Sequence, residues 1–305
     1  MNDTTGILLM AYGSPDSLDD MAAYLNDIRG GRPMSSEFVA EFKDRYAQIG
    51  GKSPLNELTF EQAGQVESVL KSRGHNVKVY VGMRHWKPWI VDTIAKMKAD
   101  GIKQAVGMVM APHYSSMSIG RYQEKVADAQ EEVGSEIEFA FVNSWCDQVK
   151  LIEAQVAKVQ AGLMNFSEAE RGKAKVVFSA HSLPARLLKM GDPYDEELMR
   201  NAQAIVDRLA PLDWMFSYQS AAKTGEPWLG PQIEDVIPAL ADGNYRNVLV
   251  APIGFVCDHV EVLYDIDIEC QRIATEHEIR LERIEMMNSD PLFIEAVADA
   301  VEAAL

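Results

Sequence analysis

Eight short apolar runs, rich in β-branched and aromatic residues, alternate with helix-like stretches along this chain. They cover residues 6–11, 77–82, 104–110, 137–143, 175–180, 214–219, 248–252 and 279–284. Strand-length runs spaced by helical patterns are the signature of parallel sheets joined by helical crossovers. Eight strands are many for one flat open sheet in 305 residues, and the runs divide evenly. Ala11-Tyr12-Gly13-Ser14-Pro15 follows the first run and Ala180-His181-Ser182-Leu183-Pro184 the fifth. Ala111-Pro112 follows the third, and Ala251-Pro252 closes the seventh. The repetition predicts an α/β chain of two similar doubly wound, Rossmann-like lobes. Each carries a four-stranded parallel sheet, and a cleft lies between them. The first lobe is expected over residues 1–165, with a helical insertion at 16–57. The second is expected over 166–305, the last helix being free to pack back on the first lobe.

Local signals place some of the helices. Leu18, Met21, Ala22, Leu25 and Ile28 form an amphipathic stripe that Gly30-Gly31 stops. Thr59-Phe60-Glu61-Gln62 reads as a capping box and predicts a helix start there. Pro88 suits the first turn of a helix carrying Ile90, Ile94 and Met97.

Charge and cysteine content narrow the function. The 46 acidic residues exceed the 29 basic ones by 17, which opposes a nucleic-acid surface or an electrostatic membrane anchor. The excess suits a cytoplasmic protein and is compatible with cation binding. Met1-Asn2-Asp3-Thr4-Thr5 lacks a basic leader region, and no apolar run approaches the roughly 18 residues of a membrane span. Cys146, Cys257 and Cys270 form neither a disulfide framework nor a Cys-x-x-Cys site, so reduced thiols are expected. Glycine-rich phosphate loops and nucleophile elbows are absent, which removes dinucleotide oxidoreductases, P-loop NTPases and esterases.

Ligands of open parallel sheets bind at the carboxyl ends of the strands. The repeat sets Tyr12 and His181 at equivalent strand tips, facing each other across the cleft. His181 suits a general base or a metal ligand, and equally a hydrogen-bonded surface histidine. Tyr12 suits a phenol ligand or substrate donor, and equally a residue packed at the core margin. If Asp258 caps a helix, Glu261, Asp265 and Glu269 stack on one face at about 6 Å per step. Such a row attracts a cation or forms a solvated acidic face. His259, two residues from Glu261, is expected to point elsewhere on that helix. Arg29, Arg32, Arg45, Tyr46 and Ser53 cluster in the insertion and suggest anion binding, because guanidinium forks match carboxylates. Arg84 and His85 at the second strand tip are similar candidates. Met83, Met108, Met110 and Met117 gather near strand ends as core filler or as a wall for a flat apolar ligand.

Five motifs in order resemble the ferrochelatases, over essentially the whole chain. They are Leu8-Leu9-Met10-Ala11-Tyr12-Gly13-Ser14-Pro15, Arg45-Tyr46 with Ile49-Gly50-Gly51-Lys52-Ser53-Pro54-Leu55, Ser179-Ala180-His181-Ser182-Leu183-Pro184, Pro227-Trp228-Leu229-Gly230-Pro231, and Gly254-Phe255-Val256-Cys257-Asp258-His259-Val260-Glu261-Val262-Leu263-Tyr264-Asp265. The resemblance implies a class II chelatase-like fold and insertion of ferrous iron into a porphyrin, with release of two pyrrole protons. His181 and Glu261 match the family's catalytic and metal-binding pair. Tyr12 matches a tyrosine of the branch from monoderm bacteria that uses coproporphyrin III, where it would lie axial to the product iron. By the same carry-over Arg29, Arg45, Tyr46, Ser53 and Tyr122 would contact the porphyrin. Asp265 and Glu269 would form an outer site for a hydrated divalent ion such as Mg²⁺. Three cysteines fall short of the four a [2Fe–2S] cluster needs, so no cluster and no permanently bound cofactor are expected. The expected partners are coproporphyrin III and Fe²⁺, with no nucleic acid and no membrane span, in a monomer. Protoporphyrin IX as substrate, a cobalt chelatase, and a haem- or metal-binding carrier are the alternatives.

Overall fold

The computed structural model describes residues 4–209, 211–222 and 224–305. Met1, Asn2 and Asp3, part of the stretch expected to lack a leader, lie outside the described residues. Among the described residues eight strands form two four-stranded sheets, every pairing parallel. β1 (Thr5–Ala11), β2 (Val77–Met83), β3 (Gln104–Val109) and β4 (Glu138–Val142) take the order β2-β1-β3-β4. β5 (Lys175–His181), β6 (Asp213–Gln219), β7 (Asn247–Ala251) and β8 (Arg280–Arg283) repeat it as β6-β5-β7-β8. β1 and β5 are therefore equivalent, and so are their carboxyl tips.

Alternation along each inner strand feeds two cores. Ile7 and Leu9 of β1 face Val66 and Leu70 of helix Leu55–Ser72 and Phe293 and Val297 of the final helix, Pro291–Glu302. Leu8 and Met10 face Ile90, Ile94, Ile119 and Val126 on the other side. In the second sheet Val176 and Phe178 face one layer of helices, and Val177, Val248 and Val250 the other. The final helix thus completes the first lobe from the far end of the sequence. Polar bonds fix it there: Arg73 pairs with Glu302 at 2.6 Å and Asp299 at 2.8 Å, and Lys150 with Asp299 at 2.9 Å. Among the described residues no helix is long and apolar enough to cross a membrane.

Two local expectations change. Helix Leu55–Ser72 starts four residues before Thr59, with Pro54 as its N-cap. Thr59 lies inside it and returns its hydroxyl to the Leu55 carbonyl at 2.7 Å, a common alternative to capping. Gln62 donates to the Asn288 carbonyl at 2.8 Å instead of closing a box. In the insertion Met21, Leu25 and Ile28 do pack inward, but Tyr24 takes the place expected of Ala22.

Two glycines let the strand tips come close. Gly13 has φ +87°, and a Cβ there would meet Met83 and Trp86 at 3.0 Å. At Gly254 a Cβ would stand 2.4 Å from Ala180 Cβ, directly behind His181. Gly254→Ala should therefore cost about 1–3 kcal/mol through overpacking. Gly64→Ala, in an open helical position with nothing within 4 Å, should gain up to about 1 kcal/mol. Chemical denaturation of both variants checks the contrast, and equal midpoints would refute it.

Candidate functional site

The carboxyl ends of both sheets open into one cleft with about 1510 Å³ of empty volume, its mouth included. The first lobe contributes Tyr12 after β1, Arg84 and His85 after β2, and Met110 and His113 after β3. The second contributes His181 at the end of β5 and the loop from Gly254 to Glu261 after β7.

His181 and Glu261 form the charged centre. Nε2 of His181 lies 3.5 Å from Oε1 of Glu261, and Nδ1 donates to the Ser182 carbonyl. Burial works against a charged imidazole, but the Glu261 carboxylate overrides it and raises His181 to about 9. Burial likewise works against the Glu261 carboxylate, yet His181 and His259 hold its carboxyl well below the usual range. The pair is thus ionised at neutral pH.

His259 is closer to the chemistry than its spacing suggests. It is the N-cap of the helix starting at Val260, with φ −162° and ψ −179°, and so is not on the helix face. Extended backbone swings its ring back, and Nε2 stands 3.7 Å from Oε2 of Glu261. Asp258, expected as the cap, instead accepts from Asn288 Nδ2 at 2.7 Å.

Glu261, Asp265 and Glu269 do follow one helical path, but not a uniform one. An ordinary turn, Val260–Leu263, widens into a π-helical segment, Asp265–Cys270. In an α-helix an i, i+4 row drifts about 40° per step; the wider turns counter that drift. Asp265 is buried and accepts from Ser220 Oγ. Burial and the Glu261 charge raise it to about 7, against the pull of Ser220 and Arg45. Glu269 is near enough to raise Asp265 further and also Glu234, from helix Ile233–Asp242. No sequence signal links Glu234 to this row. Among the described residues no three His, Cys, Asp or Glu side chains converge to hold a metal ion by themselves.

Tyr12 is 40% exposed, but its free surface faces the cleft. Its ring packs on His85 at 4.5 Å between centroids, and His85 Nδ1 lies 2.8 Å from Asp27 Oδ2. Burial and the Glu261 charge push the phenol up to about 12, with Arg84 opposing them. The phenol therefore keeps its proton at neutral pH.

The candidate anion cluster separates. Tyr46, Ser53 and Tyr122 line the cleft, with the Tyr46 hydroxyl 3.1 Å from Ser14 Oγ. Arg29 and Arg45 do not line it. Arg29, exposed at the end of helix Met21–Ile28, donates to Met34 Sδ at 3.0 Å. Arg45 donates to Glu41 at 2.8 Å and lies 5.2 Å from the Tyr264 ring centre. Arg32 is exposed on the loop after Gly31. Arg84, the weaker candidate, is the guanidinium on the wall, 5.3 Å over the Tyr122 ring. His113 carries no motif that marks it in the sequence; it is a neutral wall residue, lowered to about 4 by burial and bonded to Asn201 at 3.1 Å. Met83 and Met108 are core, whereas Met110 and Met117 reach the cleft.

Comparisons with known proteins agree on one family. The family model described as Ferrochelatase matches residues 4–305. A ferrochelatase of Herpetosiphon aurantiacus is 42% identical over 302 residues, covering 99% of each chain. A coproporphyrin III ferrochelatase of Geobacillus thermodenitrificans is 42% identical over 301 residues, covering 98% of this chain and 95% of that one. In fold, the chain is similar to the solved structure of SirB from Bacillus subtilis with Fe³⁺. The TM-score is 0.62 at 11% identity, over 99% of this chain and 96% of that one.

The ion pair makes a signed prediction. In Glu261→Gln the charge that does most to keep His181 protonated is gone, and burial is opposed only weakly, by the Ser182 carbonyl and Asp265. The imidazole pKa should fall from about 9 to roughly 6.5 or below. An NMR titration of the His181 ring reads this directly, and an unmoved titration would show that its partner lies elsewhere.

Proposed function

This chain belongs to the ferrochelatase family of metal-inserting lyases, and on that premise we propose that it inserts Fe²⁺ into coproporphyrin III with release of two pyrrole protons. The observation that carries the reading is the His181–Glu261 ion pair on the second-lobe wall of a cleft whose first-lobe wall carries Tyr12. A flat macrocycle needs a slot, and metal insertion needs proton acceptors on its face.

In this reading His181 and Glu261 act on the ring from one side. An arriving Fe²⁺ repels the imidazolium proton, which leaves to bulk water, because like charges disfavour each other's charged form. The freed pair then accepts the pyrrole protons as iron–nitrogen bonds form. Tyr12 faces the metal from the first-lobe wall, axial to the product iron. Its high phenol pKa and the neutral tendency of Asp265 support a site that gains anionic ligands only when a cation is present. Asp265 and Glu269 lead outward from Glu261 as a path for the hydrated ion, or as a seat for Mg²⁺. The ring nitrogens' lone pairs lie in the macrocycle plane, so the ring must bend to admit iron. Binding energy at the remote propionates can drive that bend.

The choice of coproporphyrin rests on Tyr12 and on relatives named for that substrate. Four propionates call for several donors. Ser53, Tyr46, Tyr122 and Arg84 on the wall support this, and Arg29 and Arg45 are proposed to turn toward the ring when it binds.

Side-by-side anaerobic metallation of coproporphyrin III and protoporphyrin IX with Fe²⁺ tests the reading. Coproporphyrin III should show at least about tenfold higher kcat/KM. A preference for protoporphyrin IX would reassign the substrate, and no metallation of either would sink the proposal. His181→Ala should lower kcat about 100-fold or more while porphyrin still quenches the protein's fluorescence.

A further inference from the structure

Gln219 ends β6 and is the register partner of His181 at the end of β5. It is 0% exposed, and so is Ser179, two residues before His181. A buried amide is costly unless both its ends are bonded. Here Ser179 Oγ donates to its Oε1 at 2.8 Å, and its Nε2 donates to the main-chain carbonyl of Glu261 at 2.8 Å. The main-chain carbonyl of Gln219 accepts from Ser182 N–H at 2.8 Å, and the Ser182 carbonyl in turn takes His181 Nδ1. One residue therefore reaches both members of the ion pair, from behind. Gln219 does not itself line the cleft.

The bond to Glu261 lands where an ordinary helical turn gives way to the wide segment. A side chain entering the helical hydrogen-bond ladder is an identifiable source of such distortion. The Glu261 carbonyl, which can only accept, sets which end of the amide meets the helix, and the Ser179 hydroxyl holds the other end.

We propose that Gln219 is a positioning residue that pins the first turn of the Glu261 helix and so holds the carboxylate at its working distance from His181. The inference rests on His181 and Glu261 being the reacting pair. Gln219 acts through Glu261 and touches neither porphyrin nor metal. Without the pin the turn is free to shift, and small displacements of a reacting group are expensive in rate.

The test is a double-mutant cycle on Fe²⁺ insertion with wild type, Gln219→Met, Glu261→Gln and the double variant. Methionine nearly conserves volume but cannot donate. Gln219→Met should lower kcat about tenfold and leave the porphyrin KM within about twofold. In the Glu261→Gln background it should lower kcat no further. An unchanged kcat in Gln219→Met, a rise in KM in its place, or equal losses in both backgrounds would overturn the inference. If Gln219→Met does not fold, Ser179→Ala, which frees the amide to turn, takes its place in the cycle, and the same outcomes support or overturn the inference. Undiminished kcat in Glu261→Gln would overturn the reacting-pair reading itself; a loss there with none in Gln219→Met overturns this inference alone.

Discussion

An imidazolium and a carboxylate 3.5 Å apart in a cleft set the terms for everything around them. Removing either charge from water costs several kcal/mol, and their attraction offsets that only when both are firmly held. The fold supplies the holding. His181 ends β5, Glu261 follows β7, and those strands are hydrogen-bonded neighbours. Gly254 lets the β7 loop close against β5, which a side chain of any size would prevent. His259 steadies the far oxygen of Glu261, and a buried amide holds its backbone. The separation of the pair thus depends on two neighbouring strands together with the contacts that hold the turn carrying Glu261.

The acidity of the chain and that of the site pull in different directions. An excess of 17 negative charges draws cations toward the whole surface. Inside, burial resists charge, pushing Asp265 up to about 7 and Tyr12 up to about 12. The outer surface draws cations, while inside the cleft Glu261 is charged, Asp265 is only partly charged at neutral pH and the Tyr12 phenol keeps its proton.

The strands and their division are legible because each run is apolar, short and bounded by turn residues, and the repeated motifs at their ends carry the register of one lobe onto the other. Tyr12, His181 and Glu261 are legible for the same reason, each standing at or just past a strand tip. What escapes are features set by backbone angles and by distant contacts. Helical spacing points His259 away from Glu261, because nothing in the sequence marks it as an extended cap. Thr59 and Gln62 have the letters of a capping box, but their side chains bond elsewhere. The insertion's arginines are near one another in sequence, but Arg29 ends one helix, Arg32 sits on the loop after it and Arg45 lies in the next helix. Glu234 joins the acidic row from a separate helix, a proximity that only the folded chain creates.

The final helix carries a consequence for how the molecule comes into being. Phe293, Ile294 and Val297 cover one face of the first sheet, yet they follow the whole second sheet in sequence. Until they arrive, the layer over Ile7 and Leu9 consists of helix Leu55–Ser72 with Trp145, Leu151 and Ala154, and lacks its last component. A half made first is therefore finished last, and the second lobe can close its own core before the first does. Synthesis order and completion order run opposite ways, so the first wall of the cleft is complete only once helix Pro291–Glu302 has been made.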